Sequence, residues 1–111
     1  MIDNVGIDII ENKRIENNCN KDFIDMILTD KEKKILKFKQ GKKKIEFICG
    51  RFAGKEAIIK ALNKYENPHM KEIEIINEKN GSPKAIFKQY KILITIAHEH
   101  NYTIAEAILL K

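Results

Sequence analysis

The sequence predicts an α+β fold in which an antiparallel sheet packs against a long central helix. Alternating apolar residues open the chain, helical periodicity then dominates its first half, and short strand-like segments fill its second half. The 111 residues, of which 43% are hydrophobic, suffice for one folded core. We therefore expect residues 1–111 to form a single domain.

The first strand and the first helix follow from the opening pattern. Residues 4–10 alternate between apolar positions and small or polar ones that include Asp8, which is typical of a strand with one covered face. Residues 12–27 repeat apolar side chains at helical spacing. One helix is predicted there, with Met26 on its buried face.

Two further helices are indicated by their end signals. Thr29 and Glu32 have the spacing of a capping box, which begins a helix, and Gly41 is expected to end it. The long central helix is predicted at roughly residues 43–65, with Pro68 just beyond it.

The second half of the chain predicts strands at residues 72–77, 85–89, 92–98 and 102–109. Asn80 and Gly81 form a strong hairpin signal between the first two, and Pro83 closes the turn region. The N-terminal strand is expected to join this antiparallel sheet.

The apolar stripe of the central helix has a gap. Its members recur at helical spacing: Ile45, Ile48, Phe52, Ile59 and Leu62. The missing position falls at Lys55 or Glu56, and a charge on a buried helix face needs a partner because desolvation is unfavourable. We attribute the gap to Glu56 as part of a chemical site, whereas Lys55 is expected either to face phosphates or to pair with a carboxylate.

Asp8 is the second anomaly, because aspartate is disfavoured in strands. One interpretation is an edge strand whose outer face meets water. The other also explains Glu56: two carboxylates from distant segments converge on Mg²⁺, which proteins hold through one or two carboxylates together with waters and phosphates. Lys60, four residues after Glu56, then either forms an ordinary surface pair with it or binds a phosphate beside the metal. Arg51 is a candidate for a second phosphate.

His98 ends an apolar strand, and His100 follows it. Such a pair can bind zinc, but no cluster of Cys or carboxylates completes the site, which disfavours zinc. His98 is therefore either structural or a donor to a phosphate.

Composition restricts the possible partners. The net charge is +5, which allows a non-catalytic basic module that binds RNA or another polyanion. Aromatic residues are only 7% and Trp is absent, which disfavours stacking on single strands. No apolar run approaches a membrane span, and we expect neither a nucleic acid nor a membrane partner. Cys19 and Cys49 are expected to be free thiols in a reducing compartment, which favours the cytoplasm, or a plastid in a eukaryote.

These motifs resemble those of the holo-acyl-carrier-protein synthases, the small single-domain members of the 4′-phosphopantetheinyl transferase superfamily. The resemblance runs almost end to end. Its most specific parts are GIDIIE at residues 6–11, GRFAGKEA at 50–57, NGSP at 80–83 and IAH at 96–98.

The resemblance implies transfer of 4′-phosphopantetheine from coenzyme A to a serine of apo-acyl carrier protein, as fatty acid biosynthesis requires. The products are holo-acyl carrier protein and adenosine 3′,5′-bisphosphate. Asp8 and Glu56 are implied as magnesium ligands, and Glu56, or a water that it orients, as the base for the serine proton. Lys60 would contact the coenzyme A pyrophosphate.

The same resemblance assigns the remaining contacts and the assembly. Arg51 and His98 would bind the nucleotide phosphates, and the turn formed by Asn80, Gly81 and Pro83 would bind the adenosine end. The basic residues expected to dock the acidic carrier protein are Lys13, Arg14 and Lys21. The family is typically a homotrimer with each active site between two subunits. A homologue that keeps this fold only as an interaction subunit is a further alternative.

Overall fold

The computed structural model describes all 111 residues and contains ten secondary-structure elements. In chain order these are β1 (Ile2–Glu11), α1 (Asn12–Asn17), α2 (Lys21–Ile27), α3 (Asp30–Leu36), α4 (Gly41–Leu62), a 3₁₀ turn (Met70–Glu72), β2 (Glu74–Asn77), β3 (Pro83–Ile86), β4 (Lys91–His98) and β5 (Tyr102–Leu110). The predicted α+β architecture, with a long helix against antiparallel strands, is confirmed.

The strands divide between two sheets rather than forming one. β1, β5 and β4 form an antiparallel sheet in that order, so the N-terminal strand joins it as expected. β2 and β3 form a separate hairpin. The predicted Asn80–Gly81 turn connects them, and Gly81 adopts a φ of +91°, which glycine reaches without strain.

The helix predicted at residues 12–27 is wrong, because two helices lie there. The Asn20 side chain accepts a hydrogen bond from the Phe23 amide at 2.9 Å and so begins α2. The Asn18 side chain donates to the Arg14 carbonyl at 2.7 Å. Asparagine side chains compete with helical backbone hydrogen bonds, so the pair breaks the helix. Met26, which was expected to be buried, is 70% exposed.

For the next two helices, one predicted helix end is confirmed and the other is wrong. The capping box is confirmed, since Thr29 Oγ1 accepts from the Glu32 amide at 3.2 Å and the Thr29 amide donates to Glu32 Oε1 at 2.8 Å. Gly41 does not end α3, which stops at Leu36; with a φ of +56° it begins α4 instead.

α4 lies at the centre of the core, against both sheets. A Cβ atom at Gly6 would lie 2.1 Å from the Ala57 carbonyl oxygen, so β1 crosses directly over the helix. A Cβ atom at Gly54 would lie 2.8 Å from Ile75 of β2 and 3.0 Å from Ile94 of β4. Gly54 therefore supplies space, because both sheets approach the helix there. None of the helices combines the length and apolar character that crossing a bilayer requires.

Candidate active site

The crossing of β1 over α4 brings together Asp8, Glu56 and Lys60. Lys60 Nζ donates to Asp8 Oδ1 at 3.2 Å and to the Ile7 carbonyl at 2.9 Å. The Asp8 side chain is only 14% exposed and faces α4, so the interpretation that it lies on a water-facing strand surface is wrong. Lys60 pairs with Asp8 rather than with Glu56, so the alternative of an ordinary i,i+4 surface pair is also wrong.

The two carboxylates are close enough to influence each other. Burial raises the pKa of Glu56, and the nearby Asp8 raises it further, while Lys60 and Arg14 oppose this increase. Asp8 Oδ2 is buried and has no hydrogen-bond partner. A buried carboxylate oxygen without a partner is unfavourable, so the pair lacks a positive or donating group on that side.

This donor set fits a magnesium ion. No group of three or more His, Cys, Asp or Glu side chains is arranged to hold a metal, which makes a site built entirely from protein ligands unsuitable. Mg²⁺ instead commonly takes one or two carboxylates and keeps waters or substrate phosphates as its other ligands. The unpaired Asp8 oxygen and the neighbouring Glu56 carboxylate would supply such ligands.

Four other predicted residues line a cavity of about 710 Å³ between α4, the β2–β3 hairpin and the end of β4. They are Arg51, Gly81, Pro83 and His98. Asn80 lies outside this lining, in a neighbouring groove, and its side chain accepts hydrogen bonds from the amide and hydroxyl of Ser82. These hydrogen bonds of Asn80 therefore stabilise the turn between β2 and β3.

Arg51 is held rigidly at the edge of this cavity. Only 5% of it is exposed, its guanidinium lies 4.0 Å from the centre of the Phe47 ring, and one terminal nitrogen donates to Asn77 Oδ1 at 2.8 Å. Burial lowers the pKa of Arg51, whereas Glu32 raises it. Its Nε is buried and has no hydrogen-bond partner, which is unfavourable for a donor.

The two clusters do not meet within one chain. None of the residues at the crossing of β1 and α4, namely Asp8, Glu56 and Lys60, lines the cavity of Arg51 and His98. A ligand that contacts both clusters of one chain would have to pass around α4, which is buried between the sheets.

The predicted docking residues are exposed, but they do not lie on one helix. Lys13 and Arg14 lie on α1, whereas Lys21 lies on α2 because of the break between these helices. Lys21 pairs with Asp25 at 3.3 Å. Arg14 lies near enough to Glu56 to lower its pKa, which places α1 beside the carboxylate pair.

Lys55 explains the gap in the apolar stripe, so the attribution to Glu56 is wrong. Lys55 is fully buried, and its Nζ donates to Glu32 Oε1 at 2.5 Å and to the Ile27 carbonyl at 2.6 Å. Glu32 Oε2 accepts from the Ile75 amide at 2.8 Å. Burial lowers the pKa of Lys55, and Glu32 opposes the decrease. This ion pair ties α3, α4 and β2 together.

Sequence reasoning missed two of these partners. Glu32 was recognised only as a capping residue, since the capping-box pattern does not indicate its second contact. Asn77, which holds Arg51 and also donates to the Gly81 carbonyl at 2.7 Å, gave no signal beyond its place before a turn.

Known proteins resemble this chain over nearly its whole length. The sequence model of the 4′-phosphopantetheinyl transferase superfamily matches residues 4–108. A holo-[acyl-carrier-protein] synthase from Geobacillus sp. is 42% identical and covers 98% of this chain and 97% of its own. One from Mycoplasma mycoides is 44% identical, with 97% and 94% covered.

Solved structures agree with the sequence comparison. A holo-(acyl-carrier-protein) synthase from Bacillus anthracis in complex with CoA (3′,5′-ADP) superposes with a TM-score of 0.89 at 34% identity, covering 98% of this chain and 96% of that one. A holo-ACP-synthase from Plasmodium yoelii gives a TM-score of 0.84 at 27% identity, with 98% and 94% covered. This chain therefore belongs to the holo-acyl-carrier-protein synthases of the 4′-phosphopantetheinyl transferase superfamily.

Proposed function

We propose that residues 1–111 form a single enzymatic domain that transfers 4′-phosphopantetheine from coenzyme A to a serine of apo-acyl carrier protein. The products are holo-acyl carrier protein, for fatty acid biosynthesis, and adenosine 3′,5′-bisphosphate. The observation that carries this proposal is the convergence of Asp8, Glu56 and Lys60, which leaves a buried carboxylate oxygen without a partner beside a lysine.

The reaction moves one phosphoryl group between two oxygens. The serine oxygen bonds to the β-phosphorus of coenzyme A, and the bond from that phosphorus to the bridging oxygen breaks. The electron pair of this bond leaves with adenosine 3′,5′-bisphosphate. Glu56, directly or through a water, accepts the serine proton. Its raised pKa suits this role, because a more basic carboxylate is a better proton acceptor near neutral pH.

Asp8 and Glu56 would hold magnesium. When bound, this ion would neutralise the negative charge that builds on the pyrophosphate oxygens. Lys60 can also neutralise this negative charge, since its side chain is 51% exposed and lies beside Asp8. Movement of Lys60 from Asp8 to a phosphate would leave both Asp8 oxygens free for the metal.

Arg51 and His98 would bind the nucleotide phosphates, with Gly81 and Pro83 against the adenosine. The support is that these residues line one cavity and that Arg51 keeps a buried guanidinium nitrogen, Nε, without a hydrogen-bond partner. We retain Asn80 as a contact for the adenosine end through the turn that it shapes.

We further propose a homotrimer in which each active site lies between two subunits. Val5, Ile7 and Ile9 of β1 are 54%, 56% and 61% exposed, and Ile104 and Leu93 continue this apolar surface across β5 and β4. An apolar sheet face of this kind is typical of a subunit interface. A neighbouring subunit would also bring the nucleotide cavity of one chain to the carboxylate pair of another.

The acidic carrier protein would dock on the basic residues Lys13, Arg14 and Lys21. The support is that Arg14 lies beside Glu56, so a carrier bound there would place its serine near the reacting phosphate. The two free cysteines, Cys19 and Cys49, suit a reducing compartment, and we propose the cytoplasm as the site of action.

The deciding experiment incubates the protein with apo-acyl carrier protein, coenzyme A and magnesium and weighs the carrier by mass spectrometry. We expect a gain of one phosphopantetheine group, and its loss with Asp8→Asn or Glu56→Gln. Asp3→Asn is a matched control, because Asp3 also lies on β1 and pairs with a lysine, Lys64, at 2.9 Å. No mass gain with folded wild-type protein and a cognate carrier would refute the proposal.

A further inference from the structure

His98 ends a chain of hydrogen bonds that begins at α1. Its Nδ1 lies 3.1 Å from Oγ1 of Thr103, its register partner on β5. Thr103 is fully buried, and its hydroxyl donates to Asn12 Oδ1 at 2.7 Å. Asn12 begins α1, so the chain joins the proposed carrier-docking helix to the nucleotide cavity.

The direction of these hydrogen bonds fixes the proton on His98. The side-chain nitrogen Nδ2 of Asn12 donates to the backbone carbonyls of Glu99 at 3.1 Å and His100 at 3.4 Å. The side-chain oxygen Oδ1 is therefore the atom that faces Thr103. A hydroxyl has one proton, and Thr103 gives it to Asn12. Thr103 Oγ1 can therefore only accept from His98, which must carry a proton on Nδ1.

The other ring nitrogen faces α4. His98 Cε1 and Nε2 lie 3.2 and 3.4 Å from the position that a Cβ atom would take at Gly50, next to Arg51. In a neutral ring protonated on Nδ1, Nε2 is an acceptor and cannot bind a phosphate oxygen. A phosphate at this position would require Nε2 to gain a proton.

The surroundings of His98 favour the neutral ring before a ligand binds. Burial lowers its pKa and Arg51 lowers it too, whereas Glu46 raises it. Lys39 and Lys43 line the same cavity and add positive charge. A bound phosphate would reverse this balance, because its negative charge favours imidazolium.

We propose that Asn12 and Thr103 are positioning residues that hold His98 with Nδ1 protonated and Nε2 facing the cavity, so that a phosphate binding beside Arg51 is accompanied by protonation of Nε2. The proton comes from solvent, Nε2 then donates it to a phosphate oxygen, and no bond to phosphorus changes. The identity of the ligand, coenzyme A or its nucleotide product, rests on the proposed function.

The tautomer can be measured in the free protein by long-range ¹H–¹⁵N correlation on ¹⁵N-histidine-labelled samples. His69→Ala and His100→Ala assign the His98 signals. We expect the Nδ1–H tautomer in wild type and in Asn12→Asp, which keeps an acceptor for Thr103. In Asn12→Ala the hydroxyl is free to donate to His98, so the Nε2–H tautomer is expected. The Nε2–H tautomer in wild type, or the same tautomer in both variants, would overturn the proposal.

Thr103→Val provides an independent test, with Thr95→Val on the exposed face of β4 as its matched control. Calorimetry with adenosine 3′,5′-bisphosphate in buffers of different ionisation enthalpy counts the protons taken up. Above the pKa of His98, wild type and Thr95→Val should take up about one proton, and their affinity should fall about tenfold per pH unit. In Thr103→Val the neutral ring is free to carry its proton on Nε2, so this variant should take up none and bind with a flat pH profile.

Equal proton uptake by wild type and Thr103→Val would overturn the positioning role. A complete lack of nucleotide binding would instead refute the proposed function, while the tautomer comparison would still decide whether Asn12 and Thr103 position His98.

Discussion

Replacing Lys55 by methionine tests whether the buried ion pair between α3 and α4 stabilises the fold. Methionine keeps most of the side-chain volume and removes the charge. The change leaves Glu32 buried without its cation and the Ile27 carbonyl without its donor. Glu32 keeps two backbone donors, the amides of Thr29 and Ile75.

The remaining contacts of Glu32 set the size of the effect. Breaking a buried ion pair by removing one partner destabilises by about 3–5 kcal/mol. Because the two amides still satisfy Glu32, we expect the lower end, about 3 kcal/mol, for Lys55→Met. Glu32→Leu also leaves both amides unpaired, at about 1–3 kcal/mol each, so its total should be at least about 5 kcal/mol. That value matches the entire stability of many small domains, so this variant is expected to be partly unfolded.

Urea unfolding followed by far-ultraviolet circular dichroism gives these values, since the chain has no tryptophan for fluorescence. Lys88→Met is the matched control: Lys88 pairs with Glu66 at a similar 2.6 Å, but its side chain is 54% exposed. Its unfolding midpoint should stay close to that of wild type. If Lys55→Met were no less stable than Lys88→Met, burial would not be what makes this pair important.

Three further predictions concern the proposed active site. Asp8→Asn and Glu56→Gln should abolish phosphopantetheine transfer. Their melting temperatures should stay the same or rise, because each variant removes one of two adjacent like charges. If both variants unfolded instead, the two carboxylates would have a structural role rather than a catalytic one. Burial and Asp8 raise the pKa of Glu56 in the folded state, so ionisation of Glu56 opposes folding. The metal-free protein should therefore lose stability as the pH rises through that raised pKa. Urea titrations at several pH values should show this loss in wild type but not in Glu56→Gln. Arg51→Lys should weaken binding of adenosine 3′,5′-bisphosphate about tenfold in calorimetry. The reason is that lysine lacks the planar guanidinium that can contact Asn77 and a phosphate together. An unchanged Kd would exclude Arg51 from the nucleotide site.

Features that depend on neighbouring residues could be predicted from the sequence. The capping box at Thr29 and the turn at Gly81 are local, and both are confirmed. The convergence of Asp8 and Glu56 was also predicted, although they lie 48 positions apart in the printed sequence. Asp8 is anomalous in its strand, whereas Glu56 was assigned to the same site because the gap left by Lys55 was wrongly attributed to it.

Features that depend on competition or on distant partners could not be predicted. The helix breaks after Asn17 because asparagine side chains form hydrogen bonds that compete with those of the helical backbone. The spacing of apolar residues carries no information about this competition. Lys55 and Glu56 are adjacent charges, so the sequence could not show which of them faced the core. The answer depends on Glu32, which lies on another helix.

The geometry of α4 leads to a final prediction. An α-helix turns about 100° per residue, so Arg51 and Glu56, five residues apart, point about 140° away from each other. Each faces a different neighbour, Arg51 toward the β2–β3 hairpin and Glu56 toward β1. Because the two residues face different sides of α4, we expect the proposed trimer to combine Glu56 of one subunit with Arg51 of the next.

Mixing two inactive variants tests this combination directly. Asp8→Asn loses the metal side, and Arg51→Met loses the nucleotide side while keeping an apolar contact with Phe47. If equal amounts are unfolded and refolded together, about one quarter of the intersubunit sites receive an intact half from each neighbour, as random assembly of a ring requires. Transfer should then recover to about a quarter of the wild-type rate, whereas each variant refolded alone stays inactive. Sites contained within single chains would give no recovery at all, and that result would refute the intersubunit site while leaving the assignment of both residues intact.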